Sequence, residues 1–448
     1  MRVAHALFGG VAVMAWLLLP AMTDPPVPPE AKEPRAAVTQ PKDDGSSGTD
    51  LVLPVALLGA AGAAATYSYV RRKRRTEGRT TPAPSHAPAA GLPEEPLPVL
   101  DQRSLRALLE TDDCVRTSAE ELRFAAARSG PEAAEPYSRA VAYARAELAK
   151  AFRLRQRLDE TSGTAPDDER TMLQEIVARC ADAQSRLDSA APGLDQLRAL
   201  EREMSAALEC AETRFRELTG RTATAATTLA ELRERYDPAV SLPVAGHVEQ
   251  AKDRLVFATV QLNRARQALD RGEDAAAAVC LRAAEGAVDQ ADVFVSGVER
   301  LAGEPPATAG TTTDPLLAAR AAVAAAADYV TTHRGAVATP ARTRLAEAER
   351  CLTAADHAEH AEPPENTDAG PDSERALTLA QEARQLAERD VRSYGNPYGG
   401  PVVDGLGGAL LGGIVLGEAP GGGRSEPRGP ACFGGTATRG RRTTGGHF

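Results

Sequence analysis

Residues 248–301 read VEQAKDRLVFATVQLNRARQALDRGEDAAAAVCLRAAEGAVDQADVFVSGVERL, and this stretch decides the fold. Its apolar residues recur at alternating steps of three and four, which is the period of one helix face. Between the two halves, Gly272 can adopt the left-handed conformation that ends a helix, and Asp274 can cap the next one. The stretch therefore predicts a helical hairpin with a seam suited to coiled-coil packing. The seam residues are Leu255, Leu262, Leu269, Phe294, Val298 and Leu301.

The same spacing recurs on both sides of this hairpin. It pairs residues 105–126 with 137–158, and residues 342–352 with 373–390, while further helices are expected around 167–190, 192–219 and 221–236. Only 4% of the chain is aromatic, whereas Ala dominates its apolar residues, which favours long helices over sheets. We expect an all-α protein whose degenerate hairpins form an elongated array. Asp112 falls on a seam, so its helix is either locally loose or paired there with a basic neighbour.

The N-terminal part of the chain carries a membrane signature. Residues 1–23 are typical of a signal peptide or a first membrane helix, and 24–50 of a disordered extracytoplasmic linker. Residues 51–70 are apolar, uncharged and long enough to form a transmembrane helix. A basic run follows at once and places the remainder of the chain in the cytoplasm. These topology-determining residues are Arg71, Arg72, Lys73, Arg74 and Arg75.

Composition divides the cytoplasmic part into further segments. A basic juxtamembrane and Pro-rich linker covers 71–98, and the helical hairpin region covers 99–303. Prolines and threonines predict a hinge at 304–315 before a second helical region at 316–392. The glycine-rich tail, 393–448, is expected to be disordered because glycine loses most entropy on ordering.

No stretch carries a catalytic or cofactor signature, so we expect no cofactor, no metal and no enzyme activity. His357 and His360 have a metal-ligand spacing, but a solvated surface is the favoured interpretation. Six scattered cysteines outside any C-x-x-C pair are read as small buried residues rather than as a disulfide framework. The net charge of −10 argues against nucleic acid as a partner. No small-molecule substrate is evident.

Several segments together resemble a known family. They are LDQRSLRALLETDDCVRTSAEELRFA (100–125), HVEQAKDRLVFATVQLNRARQAL (247–269), AAADYVTTHRGAV (325–337), RDVRSYGNPYGG (389–400) and FGGTATRGRRTTGGHF at the C-terminus. They are similar to the C-terminal part of TPM-domain-containing membrane proteins from high-GC bacteria. The resemblance implies a signal peptide, an extracytoplasmic TPM domain with an acidic metal-binding region, one membrane helix, a cytoplasmic helical region and a Gly-rich tail. Residues 24–50 leave no room for the TPM domain, so its metal-binding or phosphatase activity is carried over to no residue here.

These observations predict a plasma-membrane protein with a short segment outside and the bulk of the chain in the cytoplasm. Its expected role is a non-enzymatic coiled-coil scaffold that uses its helical seams to bind a partner protein or a second copy. Two alternatives stay open: a remnant or accessory member of a TPM-type phosphatase or hydrolase family, and a lipid-interacting helical protein.

Overall fold

A computed structural model describes residues 95–161, 163, 165–200, 202–236, 238–303, 314–360, 370–395, 405–415 and 429–443. The predicted signal segment, outer linker, membrane helix and basic run, 1–75, lie outside the described residues, as does most of the predicted hinge. None of the described helices is long and apolar enough to cross a membrane.

The described chain is all helical, which confirms the predicted class. It contains an isolated antiparallel bridge between Val415 and Pro430 but, within these ranges, no strand. A four-residue helix, Pro238–Ser241, and a 3₁₀ turn, Leu242–Val244, precede α5. The main helices are α1 (Leu97–Ser129), α2 (Pro131–Glu160), α3 (Pro166–Arg198), α4 (Met204–Arg235), α5 (His247–Asp270), α6 (Asp274–Gly303), α7 (Pro315–Thr332), α8 (Thr339–His360), α9 (Gly370–Tyr394), α10 (Leu406–Leu411) and α11 (Thr436–Thr443).

The hairpin of α5 and α6 turns where the sequence predicts it. Gly272 has a φ of 73°, and its N–H donates to the Leu269 carbonyl at 2.9 Å. The next N–H, that of Glu273, donates to the Ala268 carbonyl at 2.9 Å, which completes a Schellman motif. Asp274 is the first residue of α6, not the cap before it as predicted.

The break between α3 and α4 lies away from its predicted place. Helix α3 runs through Pro192 and α4 runs through Gly220, so these two residues end no helix. The chain turns instead after Arg198, where Ala199 is left-handed with a φ of 43°. Leu187, Ala191 and Leu194 are buried on both sides of Pro192, and this continuous packed face outweighs the hydrogen bond that proline removes.

The helices do not form the predicted elongated array, in which each repeat would contact only its neighbours. Helix α1 packs against α2 and α3 and also against α6, α8 and α11. Buried ion pairs cross the fold from α1, joining Asp112 to Arg342 of α8 and Glu120 to Arg334 in the α7–α8 connection. Asp112 therefore has two basic neighbours, Arg116 one turn along α1 at 3.0 Å and Arg342 from a distant part of the chain.

Two parts of the glycine-rich tail, residues 405–415 and 429–443, are ordered, which corrects the prediction of disorder for these two ranges. Residues 405–415 bury Leu410 and Ile414 beside α5 and α6, and residues 429–443 bury Phe433 among α1, α2 and α3. The glycines allow this packing, since a Cβ at Gly435 would lie 2.6 Å from the Gln184 carbonyl oxygen. The free energy gained by close packing and apolar burial offsets the conformational entropy lost on ordering, which was the basis of the prediction.

Candidate functional site

An open apolar groove lies between the C-terminal half of α6, the Leu242–Val244 turn, α7 and α9. Its volume is about 750 Å³, large enough for several side chains of a ligand. Two large apolar residues remain exposed in it, Leu242 at 68% and Leu317 at 40%. The remaining lining residues are Pro243, Val244, His247, Gly297, Arg300, Leu301, Ala318, Ala321, Ala322, Ala325, Asp328, Ala380, Gln381, Arg384 and Glu388.

Helix α7 supplies the apolar wall because both of its faces are apolar. One face is buried against α8 and α9 through Ala319, Val323 and Ala326. The positions between them, which include Leu317, Ala321 and Ala325, line the groove. A helix with two apolar faces is stable in water when both faces are packed against other elements, and here part of the second face of α7 is exposed to solvent in the groove.

The charges at the rim of the groove are already paired. Arg300 donates to Asp328, and burial raises the pKa of that carboxyl. Arg384 donates to Glu388 at 3.0 Å, and its guanidinium lies 5.3 Å from the centre of the Tyr329 ring. The rim is therefore close to neutral, and it offers an anionic head group less attraction than unpaired arginines would.

Aromatic rings form a layer beneath the groove, in which Phe294 and His333 are buried and His247 and Tyr329 are half-buried. His247 and His333 meet Phe294 edge to face, with ring centres 5.3 Å and 6.4 Å from it, and His333 stacks on Tyr329 at 4.2 Å. Burial lowers the pKa of His247 to about 4 and that of His333 to about 4. Both rings are therefore neutral at physiological pH, and His247, which lines the groove, would gain charge only in acid.

A second region, the polar core, lies where α1, α3 and α6 meet, and it consists of Glu120, Glu121, Arg198, Arg282, Glu285 and Arg334. Arg198 donates to Glu121 at 2.6 Å and to Glu285 at 2.7 Å, and Arg282 donates to Glu121 at 3.0 Å. Arg334 donates to both oxygens of Glu120. All six side chains are buried.

Arginine partners keep Glu121 of the polar core ionised, whereas burial raises the pKa of Glu285 although Arg198 binds it. Burial alone would raise the pKa of Glu121, but Arg282 and Arg198 hold that pKa well below its usual range. Burial would also lower the pKa of Arg198, and Glu285 and Glu121 raise it instead. Carboxylates bound in this way are poor general bases, so the geometry is that of a structural network.

Asp289 of α6 is the exception beside this core. Burial and the charge of Glu120 raise its pKa to about 7, although Arg123 contacts it at 2.6 Å. It lines a polar cleft of about 230 Å³ together with Arg214 and Arg221. Asp289 can therefore exchange a proton near neutral pH, but a single such carboxyl defines no reaction.

The predicted seam residues lie inside the chain. Leu255, Leu262, Phe294 and Val298 are buried, and Leu269 and Leu301 are half-buried. Leu262 belongs to an apolar cluster with residues of α4, whereas Phe294 belongs to one with residues of α5 and with the tail residues Leu410 and Ile414. The seam thus contributes to the core of this chain, and Leu301 alone among its members also lines the groove.

The predicted metal and thiol features have ordinary surroundings. Asp356 and Glu359, which flank His357, both accept hydrogen bonds from Arg320, and His357 is exposed. Within the described ranges, no group of three or more His, Cys, Asp or Glu residues could hold a metal ion. All six cysteines are free and are buried or half-buried.

Comparisons with known proteins give two relatives. They are UPF0603 protein MT2410 of Mycobacterium tuberculosis strain CDC 1551 and UPF0603 protein Rv2345 of strain H37Rv, each 29% identical to this chain over 438 residues. The match covers 76% of this chain, and the chain spans 65% of the length of each relative. No protein-family model matches the chain. No solved structure matches it either.

The groove and the docking of tail residues 405–415 and 429–443 were not predicted from the sequence. The signal for the groove was the run LLAARAAVAAAADYV at 316–330, which is apolar except at Arg320 and Asp328 and is therefore wide enough to contact partners on two sides. The signal for the tail was the apolar content of 405–415, where Leu, Ile and Val alternate with glycine in a way that disordered segments rarely show.

Proposed function

We propose that the chain is a membrane-anchored, cytoplasmic interaction protein without catalytic activity, and that the groove between α6, α7 and α9 is its docking surface. One observation carries the proposal: the groove leaves Leu242 and Leu317 exposed beside a wall of alanines. Exposed apolar surface gathered in one concavity is typical of a binding site rather than of ordinary surface. The predicted seam is not the docking surface in this proposal, because Leu301 alone among its members lines the groove.

The occupant we propose is an apolar face of a helix from a partner protein. The wall from Leu317 to Asp328 is helical and, at 1.5 Å per residue, about 16 Å long, which matches roughly three turns of an added helix. Alanines let a second helix approach closely, as in helix-in-groove recognition. The paired charges of Arg300 and Arg384 favour this occupant over a lipid with an anionic head group.

The test uses the full chain in its native membrane, with a photo-crosslinking residue at Ala321. We expect one partner protein to be crosslinked through an apolar helical segment, identified by mass spectrometry of the joined peptides. Leu317→Glu in the same chain should abolish the product. Val256→Glu is the matched control, because Val256 is 45% exposed but lies outside the groove.

The outcomes separate the alternatives. A crosslink to a second copy of the chain, or to lipid, would replace the proposed occupant, and lipid would favour the lipid-interacting alternative. Equal loss of crosslinking in Leu317→Glu and Val256→Glu would contradict a specific groove.

The membrane anchor rests on the sequence of residues 51–75. An uncharged apolar stretch followed by Arg71–Arg75 supports one crossing with the basic flank inside. The test is labelling of intact cells with a membrane-impermeant maleimide. A cysteine introduced at Ser46 should react, whereas one at exposed Val99 should react only after lysis; the reverse pattern would overturn the proposed orientation.

A further inference from the structure

Residues 429–443 dock on α1 and α3 mainly through backbone groups. The Phe433 N–H donates to Glu121 Oε2 at 2.6 Å, and the Gly434 N–H donates to Ser118 Oγ at 3.1 Å. The N–H groups of Gly435 and Thr438 both donate to Asp188 Oδ1 at 2.9 Å. A carboxylate at that position caps α11, where the helix dipole favours negative charge.

Side chains fix the register of this segment. Phe433 is 1% exposed and fills a place in the apolar cluster of α1, α2 and α3. At the other end, Arg442 donates to both oxygens of Asp195, and Arg439 donates to the Asp113 carbonyl at 2.9 Å. A buried aromatic anchor followed by an arginine on a carboxylate is an arrangement by which proteins commonly recognise peptides.

The two ordered parts of the tail differ in how they are held. Residues 405–415 bury Ala409, Leu410, Ile414 and Val415, so they form part of an apolar core. Residues 429–443 bury Cys432, Phe433 and Thr438, and most of their other contacts are hydrogen bonds and ion pairs to α1 and α3. They also join residues 405–415 through the Val415–Pro430 bridge and the Ala431 N–H, which donates to the Ile414 carbonyl at 3.0 Å. When residues 429–443 leave, water can replace their hydrogen bonds and ion pairs. Water cannot replace the apolar contacts of residues 405–415 in the same way.

We propose that the surface of α1 and α3 formed by Ser118, Glu121, Asp188 and Asp195 is a peptide-binding site. Residues 429–443 occupy it within the chain, and the same segment of a second copy can occupy it in trans. The site recognises the sequence Phe433-Gly434-Gly435 followed by the short basic helix α11. Gly435 is required because a Cβ there would lie 2.6 Å from the Gln184 carbonyl oxygen. The proposal is independent of the groove, which lies on α6, α7 and α9.

The first experiment cuts the full chain after folding. A protease recognition sequence is inserted after Gly422, the folded protein is cleaved, and exchange of the freed segment with a fluorescent peptide of sequence 429–443 is followed by anisotropy. We expect saturable binding that Phe433→Ala or Gly435→Val in the peptide weakens at least tenfold. Failure of the segment to exchange until the protein unfolds, or departure without rebinding, would each overturn the proposal; loss of helicity on cleavage would do the same.

The second experiment tests occupation in trans with two complementary variants. One chain carries Phe433→Ala and Arg442→Ala, so its tail is defective and its site is intact. The other carries Asp188→Ala and Asp195→Ala, so its site is defective and its tail is intact. Mixing them should give a heterodimer by light scattering, whereas either variant alone should stay monomeric. A mixture that contains only monomers would contradict exchange between copies.

Discussion

The polar core and the apolar groove lie on neighbouring parts of α6 but are built in opposite ways. In the polar core, Arg198, Glu121 and Glu285 are buried and bound to one another, and the Phe433 N–H closes the last side of Glu121. In the groove, Leu242 and Leu317 remain exposed although they are apolar. The charged side chains of the polar core are therefore buried and paired, whereas apolar side chains of the groove are exposed to solvent.

This contrast separates stability from binding. A buried ion network tolerates the loss of no single member, because each lost partner leaves a charge without compensation. An open apolar wall contributes little to folding, since its side chains are already in contact with water. We therefore expect substitutions in the polar core to unfold the protein, and substitutions in the groove to alter binding at nearly unchanged stability.

The largest effect is expected for Arg198→Met. This change leaves Glu121 and Glu285 without their shared guanidinium, which should lower the free energy of unfolding by roughly 3–5 kcal/mol. Urea denaturation followed by circular dichroism measures it. Arg103→Met is the control, because Arg103 pairs with Glu95 at the surface at 3.3 Å and should cost less than about 1 kcal/mol. Equal losses of unfolding free energy in Arg198→Met and Arg103→Met would show that the buried ion pairs contribute no more to stability than a surface pair.

Phe294→Ala tests the layer that separates the two regions. Phe294 is 2% exposed, packs with α5 and residues 405–415, and lies between His247 and His333. Truncation should cost roughly 3–4 kcal/mol as a cavity forms. The melting temperature should fall by several degrees while light scattering reports an unchanged mass. An unchanged melting temperature with lost self-association would show that Phe294 belongs to an interface between chains.

The free energy of unfolding should fall in mild acid, and the histidines beneath the groove, not the polar core, should cause this loss. Since the pKa values of His247 and His333 are lowered to about 4 from 6.5, the stability they contribute is complete above pH 6.5 and is lost as the pH falls towards 4. Between pH 7.5 and pH 5 the loss should be on the order of 1–2 kcal/mol for each ring. The raised pKa of Asp289, about 7, opposes this loss, because its neutral form is favoured as the pH falls.

Two variants isolate the histidine contribution. His247→Asn and His333→Asn should each flatten the dependence of the melting temperature on pH over this window. Asp289→Asn should steepen it. Glu121, whose pKa is held below its usual range by Arg282 and Arg198, should matter only at still lower pH. Unaltered slopes in both histidine variants would show that the rings are not the source of the acid sensitivity.

The smallest effect is expected at the hairpin turn, which belongs to neither region. Gly272→Val should cost on the order of 1 kcal/mol, because a β-branched residue is strained at a φ of 73°. A Cβ there would meet no other atom within 4 Å, so the cost is conformational only. Gly272→Asn should cost less, since Asn tolerates this conformation. Thermal melts of the full chain compare the two, and equal costs would point to a cause other than backbone strain.

The helical pairs could be predicted because local spacing determines them. The apolar steps of 248–301 and the glycine at 272 both act over a few residues, and the helices follow them. Asp112 could be expected to find a basic partner, but Arg342 could not be named, because that contact joins residues far apart in sequence. Local spacing also misplaced the end of α3, where buried neighbours carry the helix past Pro192.

The groove and the tail depend on contacts that no local pattern encodes. The alanines of α7 predict a helix but not which of its faces stays open. In the tail, composition alone predicted disorder, whereas Phe433 and the glycines around it fit a surface made by α1 and α3. The carboxylates of that surface, Asp188 and Asp195, look like ordinary solvated residues until the segment that binds them is placed beside them.

The most direct test of the separation between a stabilising core and a binding groove is the crosslinking yield at Ala321 in native membranes, measured with and without Leu317→Glu. We expect the partner product to disappear in Leu317→Glu while the melting temperature stays within about 2 °C of the parent, a shift equivalent to less than about 1 kcal/mol. Persistence of the product in Leu317→Glu, or its loss together with a large fall in the melting temperature, would show that the groove is not a binding surface separate from the stabilising core.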